Sequence, residues 1–483
     1  MNYRSNKNAI TGGDYGCKWK ELNSHFRLTA IPKPWPVPKG EQDMSDQRYQ
    51  RGKRIGWLSS LLLLLVCLAA PAVQAQTRLI VRDSLGLPGL NLTCLLTGCK
   101  VVTGLGDPNG QLFLVTFPPV LNPVTALLRL NIQAGIISVE LDQNVNMHEA
   151  YTVGVPSYLT DQAPTPYYGS TVWHGYLAQP ANLIVRGDQT HSRFRVAGNG
   201  VTVAVIDTGV DPNHPVLKSV LVKGYDFTSN TSGGSENGDV PTSSNNNQAS
   251  TATVNQRTVA VLDQRSVAVL DGGPYSAFGH GTMTAGIVHL VAPQARIMPL
   301  KAFHADGSGF NSDILRAIYY AVGNGARVMN MSFDFSNYSG ELARAIRYAN
   351  SKGVITVASA GNDGLRTVVY PAGLPGVIDV ASTSNSDIQS SFTNYGAPPV
   401  WMAAPGEGVM TTYPWGTYAA GWGTSFSTPL VAGTAALMMG ENGGCSSYSV
   451  PIGLSYSHYI GDLDMGFGRL DTFQAVQACQ VLP

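Results

Sequence analysis

Charge is scarce in this sequence. Only 13% of its 483 residues are Asp, Glu, Lys or Arg, about half the usual share, and 31 acidic side chains balance 31 basic ones. That balance leaves no basic face for a nucleic acid partner. Cysteine is also sparse, six in all. Neither Cys-x-x-Cys nor His-Glu-x-x-His spacing occurs, which argues against the zinc sites built on those patterns. A Gly-x-Ser-x-Gly elbow is missing as well, because Ser427 stands where the second glycine should be. Asp-Thr-Gly occurs once, at Asp207, so a mechanism needing two such carboxylates to share a proton lacks its second half. The apolar run Leu58 to Ala70 is too short to span a bilayer comfortably, so no stable membrane insertion is expected.

What is present begins with a targeting pattern. Arg48, Arg51, Lys53 and Arg54 precede that apolar run, and Val73-Gln74-Ala75 follows as small-x-small. Residues 44–75 therefore read as a secretory signal cleaved near Ala75, with an uncleaved anchor as the alternative. Met44 stands where a start codon would, so residues 1–43 read as a leader or as mis-assigned upstream translation. Cys17 and Cys67 fall in these segments. Cys94, Cys99, Cys445 and Cys479 remain, an even number suited to disulfides in an exported chain. Cys445 and Cys479 can staple the C-terminal segment. Cys94 and Cys99 can bridge only if the chain bends between them, and Gly98 offers that bend.

Residues 76–150 alternate strand and helix patterns, as a small α+β domain would. Leu79-Ile80-Val81 and Leu112 to Val115 read as strands, separated by a helical or turn-rich stretch to about Leu105. Pro123 to Ile132 has helical spacing, and Ile137 to Leu141 alternates like a strand. Residues 151–195 read as a proline-bearing linker and the start of the next domain. From residue 196 the texture is that of an α/β domain with a doubly wound, mostly parallel sheet. Its apolar strands are Val201 to Ile206, Ile297 to Leu300, Arg327 to Met331, Val354 to Ala358 and Val377 to Val380. Helical patterns at Ser312 to Val322 and Gly340 to Asn350 lie between them. The segment 228–272 reads as an insertion. Its polar Ser/Asn/Gly part is expected on the surface, and the short repeat Arg257 to Asp271 is compatible with a hairpin or an added helix.

Four short motifs carry chemistry. Asp207 ends a buried strand in Asp207-Thr208-Gly209, where carboxylates commonly face a site. His280 sits in Gly279-His280-Gly281-Thr282 at the start of a helical pattern, whereas the nearby His289 has no flanking motif and reads as structural. Asn362 follows a strand in Ala360-Gly361-Asn362, either as an amide donor or as a left-handed turn residue. Ser425 lies in Gly423-Thr424-Ser425-Phe426-Ser427-Thr428-Pro429, before a stretch apolar enough for a helix buried on all sides. Pro429 suits that helix's first turn. Ser425 is then either a helix cap or a nucleophile with donors beside it.

Together, in the order Asp, His, Asn, Ser, these blocks resemble those of subtilisin-family serine endopeptidases from about Gly200 to Val476. The resemblance implies a triad of Asp207, His280 and Ser425, an oxyanion donor in Asn362, and no cofactor. It implies peptide or protein substrates, and it makes residues 76–150 an inhibitory pro-domain, with an ordinary accessory domain as the alternative. Substrate would run along Ser332-Phe333-Asp334 and Ala360-Gly361. Phe333 and Asp334 depart from the family's usual Ser-x-Gly-Gly at the wall of the P1 pocket. Val216 stands where many members place a calcium-ligating Asp, and a valine cannot ligate a hard cation. A catalytically silent peptide-binding module on the same fold is the competing expectation.

Overall fold

The computed structural model describes residues 76–147, 156–240, 259–263, 266–269, 275–396 and 398–481. The leader, the signal segment with its cleavage site, Cys17, Cys67, the junction at 148–155 and much of the insertion lie outside the described residues.

An N-terminal lobe comprises β1 (Thr77–Asp83), α1 (Gly86–Thr97), β2 (Lys100–Gly104), β3 (Leu112–Phe117), α2 (Pro123–Asn131), β4 (Ile136–Leu141) and β5 (Asn144–Asn146). Its antiparallel sheet has the order β2-β3-β1-β4. Leu79, Val81, Phe113, Val115 and Phe117 point to one face, where Leu90, Ala126 and Leu130 of the two helices cover them. Alternation sends Ile80, Leu112 and Leu114 to the other face, onto the next domain. Strand β2 corrects the turn-rich expectation for residues up to Leu105. The helix before it stops at Thr97, where Gly98 takes φ +81° and lets Cys99 fold back to bond Cys94, with Cα atoms 4.4 Å apart.

The linker expectation for residues 151–195 also needs correction. Residues 157–160 form a short 3₁₀ turn, followed by the hairpin β6 (Pro164–Tyr167) and β7 (Ser170–Trp173). Helices α3 (His174–Ala178), α4 (Pro180–Ile184) and α5 (Gly187–Phe194) come next. Leu159, Val172, Tyr176, Ala181 and Val185 are buried in the main core, so this segment is an integral part of the domain.

The main domain contains β8 (Thr202–Asp207), β9 (Tyr225–Asp226), β10 (Thr231–Ser232), β11 (Val259–Asp263), β12 (Ser266–Val269), α6 (His280–Val291), β13 (Arg296–Lys301), β14 (Ser308–Phe310), α7 (Asn311–Gly323), β15 (Val328–Met331) and α8 (Gly340–Ser351). It continues with β16 (Ile355–Ser359), β17 (Val377–Thr383), β18 (Met402–Pro405), β19 (Val409–Tyr413), β20 (Thr417–Gly421), α9 (Thr424–Met439), α10 (Ser449–Leu454) and α11 (Thr472–Cys479). The eight-stranded sheet runs β10-β9-β13-β8-β15-β16-β17-β18. All of its pairs are parallel except β10 with β9.

Side-chain alternation builds three layers. Val203, Val205, Val328, Ile355, Val357, Ile378 and Val380 face α6 and α9. Ala204, Ile206, Met329, Met331 and Ala358 face α7 and α8. Both faces are covered, which is why these strands read as nearly continuous apolar runs. Helix α9 is buried along its whole length, as its small apolar sequence predicts. Within the repeat, the described strands β11 and β12 pair antiparallel with each other, and β11 joins β20 and β19 in a second sheet. The Cys445–Cys479 disulfide ties the loop after α9 to α11.

Candidate active site

Strand order explains where the site forms. Strand β8 lies between β13 and β15, so the winding that leaves β8 on one side towards β13 continues on its other side from β15. Asp207 ends β8, Ser332 follows β15, and Asn362 follows β16, so the carboxyl ends of three adjacent strands share one rim. Helices α6 and α9 pack together beneath them. His280 is the first residue of α6, and Ser425 is the second of α9.

His280 Nδ1 lies 2.8 Å from Asp207 Oδ1. That oxygen also accepts the Thr208 backbone N–H at 2.7 Å, while Oδ2 accepts the Thr284 hydroxyl at 3.1 Å. Both partners are nearly buried, with side-chain exposures of 4% and 0%. The approach depends on Gly281. A Cβ there would stand 2.0 Å from the Gly209 carbonyl oxygen, so only glycine lets α6 come this close to the end of β8. The His280 ring packs edge-on against Phe426, at 5.7 Å between centroids, which sets the imidazole beside the residue following Ser425.

The structure revises the environment of Ser425. Helix α9 begins at Thr424 with Gly423 as its cap, so Ser425 is not the cap. Pro429 is inside the helix, not in its first turn. Having no N–H, Pro429 cannot bond the carbonyl four residues back, which belongs to Ser425. The Ser332 hydroxyl donates to that carbonyl instead, at 2.9 Å, and the Ser425 hydroxyl donates to the Ser332 carbonyl at 3.2 Å. Asn330 in turn donates its amide to the Ser332 hydroxyl at 3.0 Å.

Asn362 is held by its side-chain oxygen, which accepts the backbone N–H of Thr424 at 2.9 Å and its hydroxyl at 3.0 Å. With Oδ1 committed to the helix start, the amide presents its N–H₂ group as a donor. The left-handed turn position belongs to Gly361 at φ +95°, not to Asn362.

Several residues at the site carry no sequence motif. Glu236 is fully buried and accepts hydrogen bonds from the Gly279 N–H at 2.8 Å, the Thr208 hydroxyl at 3.1 Å and the Thr282 hydroxyl. It thereby ties the residues beside Asp207 and His280 to one carboxyl group. Burial raises that carboxyl to about 7, against the lowering contributions of Thr282, Gly279 and Lys301. This corrects the expectation that the polar start of the 228–272 segment is merely surface. The buried Lys301 donates to the Thr208 carbonyl at 2.8 Å and to Asp239 at 2.6 Å. The signal for Glu236 and Lys301 is tertiary, and nothing in their local sequence marks them. His289 is fully buried beside Tyr176, and desolvation lowers its pKa to about 3. Val216 is likewise buried in the core. Among the described residues, no group of three or more His, Cys, Asp or Glu is arranged to hold a metal ion.

The lobe delivers its C-terminal tail to this rim. Strand β5 pairs antiparallel with β14, and the Met147 N–H donates to the Gly307 carbonyl at 3.0 Å. The Cβ atoms of Met147 and Ala277 both lie against Gly307, so the tail arrives three residues upstream of His280. Acidic side chains of the lobe meet two helix starts, where exposed N–H groups and the dipole favour anions. Glu140 accepts from the Ser339 hydroxyl at 2.5 Å and the Gly340 N–H at 3.1 Å at the start of α8. Asp142 accepts the Ser312 N–H at 2.8 Å at the start of α7.

Comparison with known proteins agrees with this architecture. The model of the subtilase family of peptidases matches residues 198–451. Thermitase of Thermoactinomyces vulgaris is 33% identical over 291 residues, which cover 58% of this chain and 90% of thermitase. Subtilisin BL of Lederbergia lenta is 34% identical over 275 residues, covering 55% of this chain and 86% of that protein. Among solved structures, fervidolysin from Fervidobacterium pennivorans, described as a keratinolytic enzyme related to subtilisin, has a TM-score of 0.63 at 22% identity. That match covers 84% of this chain and 62% of fervidolysin, and it bears on the fold alone. The sheet with its two buried helices, the family match over more than half the chain and the relatives lead to one conclusion: the chain belongs to the subtilase family and is a serine-type endopeptidase.

Proposed function

We propose that this enzyme hydrolyses peptide bonds through an acyl-enzyme formed on Ser425, and that it is made as an exported, self-processing zymogen. The observation that carries the catalytic part is the 2.8 Å contact between His280 Nδ1 and Asp207 Oδ1 beside the start of α9. Asp207 holds the imidazole with Nδ1 protonated, which leaves Nε2 to take the Ser425 proton as the hydroxyl oxygen attacks the substrate carbonyl. Negative charge then develops on the carbonyl oxygen. The Asn362 amide and the Ser425 backbone N–H are its donors, at the positive end of α9. Collapse of the tetrahedral intermediate breaks the C–N bond, and His280 gives its proton to the departing amine. Water, deprotonated by the same imidazole, hydrolyses the ester and restores Ser425.

The lobe at residues 76–147 acts as an intramolecular inhibitor. Its tail adds a strand at β14 and leads towards His280, as the chain upstream of a cut would. Export is supported by the signal pattern before Ala75 and by the two disulfides, which persist in oxidising compartments. A fluorophosphonate probe labels Ser425 of the processed protein, and Ser425→Ala accumulates at full length. Clean maturation of Ser425→Ala without added protease refutes self-processing. Absence of labelling in a processed, folded protein refutes the nucleophile.

A further inference from the structure

Helix α6 carries His280 as its first residue, and its cap, Gly279, has no side chain to offer the N–H groups that a helix start leaves open. The acceptor comes from elsewhere in the chain. Gly279 donates its N–H to Glu236 at 2.8 Å. Gly281 donates its N–H to the Thr208 hydroxyl at 3.0 Å, and that hydroxyl donates to Glu236 at 3.1 Å. The backbone on both sides of His280 therefore ends on one carboxyl group, directly on one side and through a single hydroxyl on the other. The Thr282 hydroxyl is a third donor, and its oxygen accepts the Asp211 N–H at 2.8 Å. Thr208 closes the ring, because its backbone N–H bonds Asp207 Oδ1, the same oxygen that holds His280 Nδ1.

Glu236 is itself held in place. Its side chain is fully buried, and two residues earlier Gly234 accepts the Val210 N–H at 3.0 Å, which bonds its loop to the chain that leaves β8. Gly279 takes φ +86°, and a Cβ there would stand 2.3 Å from the Tyr413 ring, so this turn is wedged between Tyr413 and Glu236. The charged and titratable groups around Glu236 are Asp207 at the end of β8, Lys301 at the end of β13, Tyr413 on β19 and His280 on α6, with Asp211 and Asp239 in the adjoining loops. The side-chain partners that the described residues give Glu236 are all donors, an arrangement that favours the ionised acid. Its charge has a second effect. The positive end of α6 opposes the charge that His280 gains on taking a proton, and a carboxylate at the same helix end offsets it.

Building on the acyl-enzyme reading above, we propose that Glu236 is a positioning residue for catalysis: it caps α6 from outside the helix, fixes the turn that sets His280 against Asp207, and balances the helix charge that the imidazolium meets. Burial holds the Glu236 carboxyl at about 7, so activity should fall as it takes up a proton and one of its acceptor oxygens becomes a donor.

The test compares Glu236→Gln and Thr208→Val with wild type, as processed enzyme on a cleaved peptide anilide; variants that do not mature by themselves are cut in trans by wild type. Rates are taken per folded molecule. Glu236→Gln keeps the volume but removes the charge, and should lower kcat about 10-fold to 100-fold with KM within about threefold. The acid limb of its kcat/KM profile should move to lower pH, a change that loss of stability alone does not produce. Thr208→Val keeps the charge and cuts the link to Gly281, so kcat should fall while the acid limb stays in place. This second variant decides the matter if the first fails to fold. A kcat within about threefold of wild type in the folded variants, with the acid limb unmoved, overturns the proposal even if the melting temperature drops. If Ser425→Ala cleaves the anilide as fast as wild type, the acyl-enzyme reading fails first and the role of Glu236 falls with it.

Discussion

Replacing Arg82 by Ala should loosen the N-terminal lobe from the main domain by two to four decades. Arg82 rises from β1 and joins the lobe to α8. Its Nη2 lies 2.7 Å from Glu341, Nε bonds the same carboxylate, and Nη1 is 3.1 Å from Asp107. Side-chain exposures are 8% for Arg82 and 1% for each acid, so solvent screens little of this cluster. Burial opposes ionisation of Glu341, yet hydrogen bonds from Arg82 and Ser138 and the Arg82 charge hold its pKa below the usual range. Removing one partner of a buried pair costs about 3–5 kcal/mol, because the other charge stays desolvated. Glu341 regains water when the lobe lifts, so the cost falls on docking, about 10²–10⁴ in the docking equilibrium. Amide exchange on the Ser425→Ala chain, which prevents cleavage during the measurement, reads this directly. Peptides covering the start of α8, where Gly340 donates to Glu140, should lose protection, and those covering β8 should not. Arg78→Ala is the contrast: Arg78 is 30% exposed, and the buried Asp142 keeps the Ser312 N–H and hydroxyl as donors when the guanidinium is removed, so the loss of protection should be smaller than in Arg82→Ala. Joint replacement by Arg82→Met, Asp107→Asn and Glu341→Gln should recover most of the protection. A change below tenfold at the start of α8 in Arg82→Ala would refute the argument.

Three further outcomes are expected. Gly281→Ala drives a methyl group into the Gly209 carbonyl, separates α6 from β8, and should lower kcat by about 10² through misplacement of His280, read on any cleaved substrate. Ser332→Ala leaves the Ser425 carbonyl without its donor and should cost about 1–3 kcal/mol in denaturant unfolding of the Ser425→Ala chain. For Asp379, the folded carboxyl titrates at about 7 against an ordinary value of 3.8. The folded state holds a proton that the unfolded state has lost, so wild-type stability falls as pH rises through that window. Asp379→Asn does not titrate, and its gain in Tm over the parent should be larger at pH 8 than at pH 4; an equal gain at both values contradicts the assignment.

The legible parts of this protein are those written in contiguous residues. Asp207, His280, Asn362 and Ser425 each sit in a short block whose glycines and small residues mark a close approach, and the buried parallel strands announce themselves as unbroken apolar runs. Pro429 misled because proline is commonest at a helix start. Here a serine from β15's far end stands in for the bond it removes, which no local pattern reveals. Glu236 was hidden for a similar reason: it follows Gly233 and Gly234 in a polar stretch that resembles a surface loop, and its burial comes from α6 folding over it. The fold of residues 157–194 was obscured by prolines that begin a strand and a helix instead of marking a tether. The Arg82–Glu341 pairing spans more than 250 residues, so its partners become neighbours only once both domains are assembled.

The missing rung at Pro429 has a mechanical result. A nucleophile anchored only to its own helix would move with that helix and ignore the neighbouring strand. Here Ser425, the proposed nucleophile, is buttoned front and back to Ser332, one hydroxyl-to-carbonyl stitch in each direction. On the proposed reading, a peptide laid along Ser332 would lean on the same short segment that holds the Ser425 oxygen, and a poorly seated chain would disturb the atom proposed to cut it.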